Sequence, residues 1–171
     1  MKTIVAYKSK TGYTKKYAQW IAEQLHCDIK EDPSYADIEG YDVIIYGGGI
    51  YAGGINGMKL ITGNYSRLRG KKIALFAVGA LDGSNKVYES LWNKTLDDEQ
   101  QKAVGHFYFR GGFDYDRIKG ADKIMISLLR SSMQKKKNPT DGQKALLSAF
   151  ETADHTDRKN IAPLIEHVKG L

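Results

Sequence analysis

The feature that most restricts the fold of this chain is the order of its segments: an apolar run, a loop rich in glycine or hydroxyl side chains, and then a helical pattern. Strands that alternate with helices form a mostly parallel sheet with helices on both faces. We therefore predict a doubly wound α/β fold with a five-stranded parallel sheet, in one domain that spans residues 1–171. The segments predicted as strands are 1–7, 26–29, 41–46, 72–78 and 104–109.

The segments between these strands carry apolar residues at three- and four-residue spacing, as in Tyr17, Ile21 and Leu25, which is typical of amphipathic helices. At the end of the chain, Thr156 is the predicted N-cap of the last helix and Asp157 lies in its first turn. Residues 111–154 depart from the alternating order and are predicted to be an insertion after the fifth strand. The earlier helices are predicted at 14–25, 57–68 and 87–92.

The composition restricts where the protein works and what it binds. The chain has one cysteine, Cys27, so an internal disulfide is excluded, and its N-terminus enters a strand without a signal-peptide pattern. No apolar run approaches the roughly 20 residues that a membrane helix needs. The net charge of +6 is compatible with nucleic acid, an anionic membrane face or acidic partners, but for so modest an excess solubility is the usual explanation. We expect a cytoplasmic protein without a nucleic-acid partner.

The loop after the first strand reads Ser9-Lys10-Thr11-Gly12-Tyr13-Thr14, which places three hydroxyl groups and a glycine at the start of a helix. Backbone N–H groups at a helix N-terminus are free to bind an anion, and the helix dipole favours negative charge there. The three hydroxyl groups can donate further hydrogen bonds. We predict a phosphate-binding loop; the alternative is an ordinary helix cap made by one of the threonines.

Two further loops follow predicted strands and are rich in small residues. The carboxyl ends of parallel strands meet at one edge of a sheet, where ligands bind in doubly wound folds. We therefore expect these loops to share a cleft with the phosphate-binding loop. They read Gly49-Ile50-Tyr51-Ala52-Gly53 and Gly79-Ala80-Leu81-Asp82.

Competing chemistries have weaker support. The spacing Gly47-x-Gly49-x-x-Ala52 matches a dinucleotide-binding fingerprint, but it follows the third strand, and residues 66–72 supply no acidic side chain for a ribose. The chain has neither a P-loop motif nor a nucleophile elbow. Its four histidines and Cys27 lack the spacing of metal ligands. We predict no metal site and no catalytic side chain.

The pattern Ser9-x-Thr11-Gly12-x-Thr14 after an N-terminal strand resembles the flavodoxin family. That resemblance implies a flavodoxin-like fold that binds flavin mononucleotide (FMN) and transfers electrons through it. Residues 9–14 would hold the phosphate, and Tyr51, with Gly49, Ile50, Ala52 and Gly53, would cover one face of the ring. The loop of Gly79, Ala80, Leu81 and Asp82 would offer backbone groups at the pyrimidine end of the flavin.

The predicted insertion resembles that of the flavodoxin-like protoporphyrinogen dehydrogenases, through Gly111-Gly112-Phe113-Asp114-Tyr115, Pro139-Thr140-Asp141 and Asp154-His155-Thr156-Asp157. That group implies a porphyrinogen substrate and a quinone acceptor, whereas a carrier implies a redox partner protein. A non-redox nucleotide-binding module is a third alternative. The basic side chains of residues 117–137 form a solvated face, attract porphyrin propionates, or make peripheral contact with an anionic membrane. Under each interpretation, deletion of 114–154 is expected to leave FMN bound.

Overall fold

The central sheet of the computed structural model has five parallel strands in the order β2-β1-β3-β5-β6. The structure describes residues 1–82 and 85–171. A short strand, β4, extends the sheet by antiparallel pairing with the end of β3, and β7 and β8 form a separate ribbon. The strands are β1 (Thr3–Lys8), β2 (Asp28–Glu31), β3 (Val43–Tyr51), β4 (Gly54–Ile55), β5 (Lys72–Gly79), β6 (Gly105–Arg110), β7 (Gly112–Phe113) and β8 (Ala153–Asp154).

Helices cover both faces of the sheet, as the α/β prediction requires. The α-helices are α1 (Tyr13–Leu25), α2 (Tyr35–Ile38), α3 (Lys59–Thr62), α4 (Asn85–Thr95), α5 (Asp98–Ala103), α6 (Gly120–Gln134), α7 (Asp141–Ala149) and α8 (Ala162–Gly170). Short 3-10 helices occupy Tyr65–Leu68, Tyr115–Arg117 and Arg158–Ile161. The predicted doubly wound fold with five parallel strands is confirmed.

The two faces of the sheet bury alternate residues of the same strands. On β1, Val5 packs on the side of α1 and α8, whereas Ile4 and Ala6 pack on the side of α4. Successive side chains of a strand point to opposite faces, so a strand that is covered on both sides must be apolar at nearly every position. This requirement explains the continuous apolar runs of β1, β3 and β5.

The strand order reverses between β1 and β3. The chain leaves β1 for β2 on one side and then returns to place β3 on the other side. Loops that leave β1 and β3 therefore diverge and open a crevice at the carboxyl edge of the sheet. This crevice lies between two of the predicted ligand-binding loops.

Three local predictions were wrong. The third strand does not end at Tyr46 but continues to Tyr51, because its glycines allow close packing within the sheet instead of forming a loop. The predicted helix 57–68 is broken into α3 and a 3-10 helix at Gly63 and Asn64, residues with low helix propensity. Thr156 does not cap the last helix.

Asp154 and Asp157 organise the approach to α8 instead. The Thr156 hydroxyl donates to Asp154 Oδ1 at 2.6 Å, and the Asp157 side chain accepts from Lys159 N at the start of a 3-10 helix. Helix α8 begins at Ala162, with proline in its first turn. The residues that resembled an N-cap therefore form a turn between β8 and the 3-10 helix.

Residues 111–154 lie between β6 and α8. The segment leaves the sheet through β7, forms α6 and α7, and returns through β8, which pairs with β7. Thr140 and Gln143 form a capping box at the start of α7. Phe113, Ile118 and Ile126 form a small core that packs against Ala80 of the sheet edge.

Candidate functional site

A cavity of about 1000 Å³ lies at the carboxyl edge of the sheet. One wall is formed by the loops that follow β1, β3 and β5, and the remaining walls by α4, α6, α7 and the residues after β6. Eleven of the fifteen residues predicted for the site line it, and Ser9, Lys10, Gly12 and Asp82 do not. The lining residues from the prediction are Thr11, Tyr13, Thr14, Gly49, Ile50, Tyr51, Ala52, Gly53, Gly79, Ala80 and Leu81.

The first loop turns tightly from β1 into α1. Gly12 is the N-cap of α1, with a φ of 93° that favours glycine, and its N–H donates to Ser9 Oγ at 3.1 Å. Ser9 therefore stabilises the loop from within. Thr11 lines the cavity, and so does Thr14, although its side chain is only 3% exposed. The N-terminus of α1 and two hydroxyl groups thus meet at one end of the cavity.

The second loop begins within β3 and ends at a sharp turn. Ala52 and Gly53 have φ values of 49° and 77°, which reverse the chain into β4. The half-buried Tyr51 lines the cavity, and its hydroxyl lies 3.5 Å from Thr11 Oγ1. Burial raises the pKa of the Tyr51 hydroxyl above its ordinary value, so the phenol stays neutral.

Gly49 allows the first and second loops to approach each other. A Cβ at this position would lie 2.8 Å from Tyr51 Cε2 and 3.3 Å from Thr14 Oγ1. Any larger residue would have to displace the tyrosine ring or the threonine hydroxyl. The glycine-rich sequence after Tyr46 therefore brings an aromatic ring next to the start of α1.

The third loop contributes mainly small residues and backbone. Gly79, Ala80 and Leu81 line the cavity, whereas Asp82 is exposed and is not among the lining residues. The Tyr108 hydroxyl donates to Leu81 O at 2.7 Å and holds this loop against β6. Burial raises the pKa of the Tyr108 hydroxyl, which keeps it protonated as a donor.

Sequence reasoning missed the other half of the cavity. Tyr108 lies in a segment that was predicted as a strand. The aromatic run Phe107-Tyr108-Phe109 was the signal that side chains of this strand are covered by other parts of the protein. The wall opposite the loops includes Ile118, Met125 and Leu129. Apolar residues recur at helical spacing over 121–129, but this spacing does not determine which surface the apolar face of α6 packs against.

Helix α6 also presents apolar side chains to the outside. Ile124 and Leu128 are 65% and 67% exposed, and Met125 and Leu129 are exposed at the border of the cavity. Residues 119–144 contain seven lysine or arginine residues against two carboxylates, so nearly all of the net charge of +6 lies on this segment. Among the described residues, no helix is long and apolar enough to cross a membrane.

Two contacts connect the segment after β6 to the first loop. Arg117 Nη1 donates to Thr11 O at 3.2 Å, and Arg117 Nε lies 3.1 Å from a carboxylate oxygen of Asp114. The ammonium group of Lys10 pairs with Asp122 of α6 and lies 4.6 Å from the centre of the Tyr51 ring. Both walls of the cavity are therefore joined at the end where α1 begins.

Residues 4–141 match the model of the flavodoxin domain family. No curated protein matches the chain. The resemblance of residues 111–154 to protoporphyrinogen dehydrogenases stays a prediction.

Several solved structures are similar to this chain. A flavoprotein in complex with FMN from Lactobacillus acidophilus NCFM is 21% identical, with 64% of this chain and 92% of that chain covered and a TM-score of 0.44. Oxidised Flavodoxin 2 from Bacillus cereus is 17% identical, with 75% and 96% covered and a TM-score of 0.40. A flavodoxin from the domain Archaea is 14% identical, with 88% and 97% covered and a TM-score of 0.44. Because the family model matches well over half of its residues, this chain belongs to the flavodoxin domain family.

Proposed function

We propose that this protein binds FMN in the cavity at the carboxyl edge of the sheet and transfers electrons through it. The observation that carries the proposal is that the N-terminus of α1, with the hydroxyl groups of Thr11 and Thr14, lies at one end of an apolar cavity that Tyr51 also lines. Hydroxyl groups and helix N-termini bind phosphate, and flat aromatic side chains bind flat heterocycles. A flavin nucleotide carries both a phosphate and a flat aromatic ring, so it fits a cavity of this kind.

The residues of the chain fit that cofactor. The hydroxyl groups of Thr11 and Thr14 and the N-terminus of α1 would hold the phosphate, and Tyr51 would pack against the ring. The loop of Gly79, Ala80 and Leu81 would offer backbone groups, with little side-chain volume to keep the ligand away. Bound FMN supplies the redox chemistry, while the protein orients it and excludes water from one side of the cavity.

Flavin binding is tested directly with the purified protein. We expect titration with FMN to quench flavin fluorescence, and the complex to absorb blue light. A non-redox nucleotide-binding module would instead bind adenine nucleotides better than FMN, so ADP is titrated in parallel. Absence of FMN binding at millimolar concentration would reject the proposal.

Replacement of Tyr51 with alanine is expected to weaken FMN binding about tenfold. Loss of the ring removes buried aromatic area and a stacking contact of about 0.5–1.5 kcal/mol, and each 1.4 kcal/mol corresponds to a factor of ten. Fluorescence titration measures the change. Tyr35, a half-buried tyrosine that does not line the cavity, is the matched control, and its replacement with alanine should leave the FMN affinity unchanged.

The carrier and the porphyrinogen dehydrogenase differ in what the FMN-loaded protein does next. A carrier exchanges electrons with a flavodoxin reductase and leaves protoporphyrinogen untouched. A dehydrogenase produces fluorescent protoporphyrin in anaerobic solution when a menaquinone analogue is the acceptor. Reduction of the protein followed by mixing with each partner in turn therefore separates the two roles.

A further inference from the structure

We infer that Arg117 is a ligand of the FMN phosphate. This arginine lies in the segment after β6, and its guanidinium contacts the first loop. The inference rests on the proposed function and extends it, because residues 9–14 were the whole of the predicted phosphate site. Arg117 is 106 positions from Thr11 in the chain, yet its guanidinium contacts that loop. Nothing in the sequence pattern of the loop indicates this partner.

The position of the guanidinium supports the assignment. Arg117 Nη1 donates to Thr11 O at 3.2 Å, and a Cβ added to Gly12 would lie 3.6 Å from the same nitrogen. Gly12 is the residue at which α1 begins. The guanidinium therefore lies beside the backbone of the first loop; Arg117 does not itself line the cavity, so its side chain would turn toward a phosphate bound there.

The local charges favour an anion at this point. The start of α1 is the positive end of the helix dipole, and residues 13–16 of its first turn add two lysines. These lysines pair with Glu31 and Asp154, whereas Arg117 pairs with Asp114 and also contacts the loop itself. A cation beside the positive end of a helix is unfavourable alone and becomes favourable when an anion lies between them.

The guanidinium of Arg117 has N–H groups left to donate to such an anion. Its contacts with Thr11 O and Asp114 use two of the five N–H groups of the guanidinium. The side chain is 56% exposed, so it can rotate without disturbing the core. Guanidinium binds phosphate with two parallel hydrogen bonds, a geometry that lysine does not provide.

With Arg117 as a phosphate ligand, residues 114–154 contribute to FMN binding. The segment lines the cavity and holds the first loop through Arg117 and Asp122. Its deletion should therefore weaken FMN binding, in place of the independence expected from the sequence. The phosphate of the cofactor and the α6 wall of the cavity would be connected through one arginine.

The test compares FMN with riboflavin, which lacks the phosphate. In the Arg117→Gln variant we expect the dissociation constant for FMN to rise about 10- to 100-fold, since a hydrogen bond to a charged group has that effect on affinity. The dissociation constant for riboflavin should change less than twofold. The salt dependence of FMN binding should also become shallower, because one charge has been removed from the site.

Arg130→Gln is the matched control. It removes the same charge from the same segment, where the guanidinium lies 5.9 Å from the Tyr115 ring and away from the first loop. We expect it to bind FMN like the wild type. An Arg117→Gln variant that binds FMN within twofold of the wild type, or that loses FMN and riboflavin equally, would overturn the inference, since a purely structural arginine would produce the second result.

A second variant is expected to change the FMN affinity in the opposite sense. Asp114 competes for the guanidinium, and Asp114→Asn keeps the side-chain acceptor for Asp116 N while it removes the charge. This variant should bind FMN about threefold more tightly. Because Asp114 itself lines the cavity, the gain should disappear when Asp114→Asn is combined with Arg117→Gln; a gain that persists in the double variant, or weaker binding in the single one, would contradict the assignment. If the wild-type protein binds neither flavin, the proposed function itself fails, whereas wild-type FMN binding that is insensitive to both variants rejects only the role of Arg117.

Discussion

Exchange of both Thr11 and Thr14 for valine is expected to weaken FMN binding about 100-fold while the fold stays intact. Valine has nearly the shape of threonine, so the change removes two hydroxyl donors at the start of α1 and little else. A hydrogen bond to a charged group contributes about 1.5–3 kcal/mol, and two of them correspond to at least a hundredfold in affinity. Isothermal titration of the variant with FMN measures the loss.

Two controls make this result specific. Riboflavin should bind the variant and the wild type with similar affinity, because neither hydroxyl group is expected to contact the ring. Thr62→Val removes a threonine hydroxyl that donates to Met58 O on α3, away from the cavity, and should leave FMN binding unchanged. An affinity for FMN within threefold of the wild type in the double variant would show that the phosphate is held elsewhere.

Gly47→Ala is expected to destabilise the protein by about 3 kcal/mol. Gly47 is buried in the middle of β3, and a Cβ there would overlap the ring of Phe76 on the neighbouring strand. Phe76 is fully buried and packs on Phe109 at a centroid distance of 5.5 Å, so its ring has no free space to enter. Overpacking of a dense core costs about 1–3 kcal/mol, a large share of a typical stability of 5–15 kcal/mol.

Urea unfolding followed by circular dichroism measures this effect. Gly142→Ala is the control, because a Cβ at Gly142 meets open space on α7 and alanine is a better helix former. That variant should be as stable as the wild type or slightly more stable. A Gly47→Ala protein of unchanged stability would mean that β3 and β5 can move apart, which the continuous pairing from Val43 to Gly49 argues against.

Much of the fold was predictable because local sequence and tertiary packing demand the same residues. A strand covered on both faces must be apolar, so 72–78 was recognisable as β5 almost to the residue. Residues 9–14 were recognisable as a turn into a helix, since hydroxyl residues and glycine are favoured at helix N-termini. The glycines at 47–49 misled the prediction of where β3 ends, because glycine occurs both in loops and where neighbouring strands pack closely.

The residues of the candidate site were also predictable only in part. The three loops at the carboxyl edge follow from the order of strands and helices, and residues such as Thr11, Thr14 and Tyr51 were identifiable from the residue pattern alone. The positions of Asp82 outside the cavity and of Ser9 within its own loop were not, because a loop sequence does not determine which way each side chain turns.

By itself, the sequence determined the α/β class, most of the strand and helix segments that build it, and the hydroxyl-rich turn that leads from the first strand into the first helix. These depend on periodicity and on residue chemistry over short stretches. Only the tertiary structure decided that α6 and α7 close the cavity and that Arg117 reaches Thr11. Those contacts join residues about a hundred positions apart, and their geometry is set by how the chain packs as a whole, which no local pattern records.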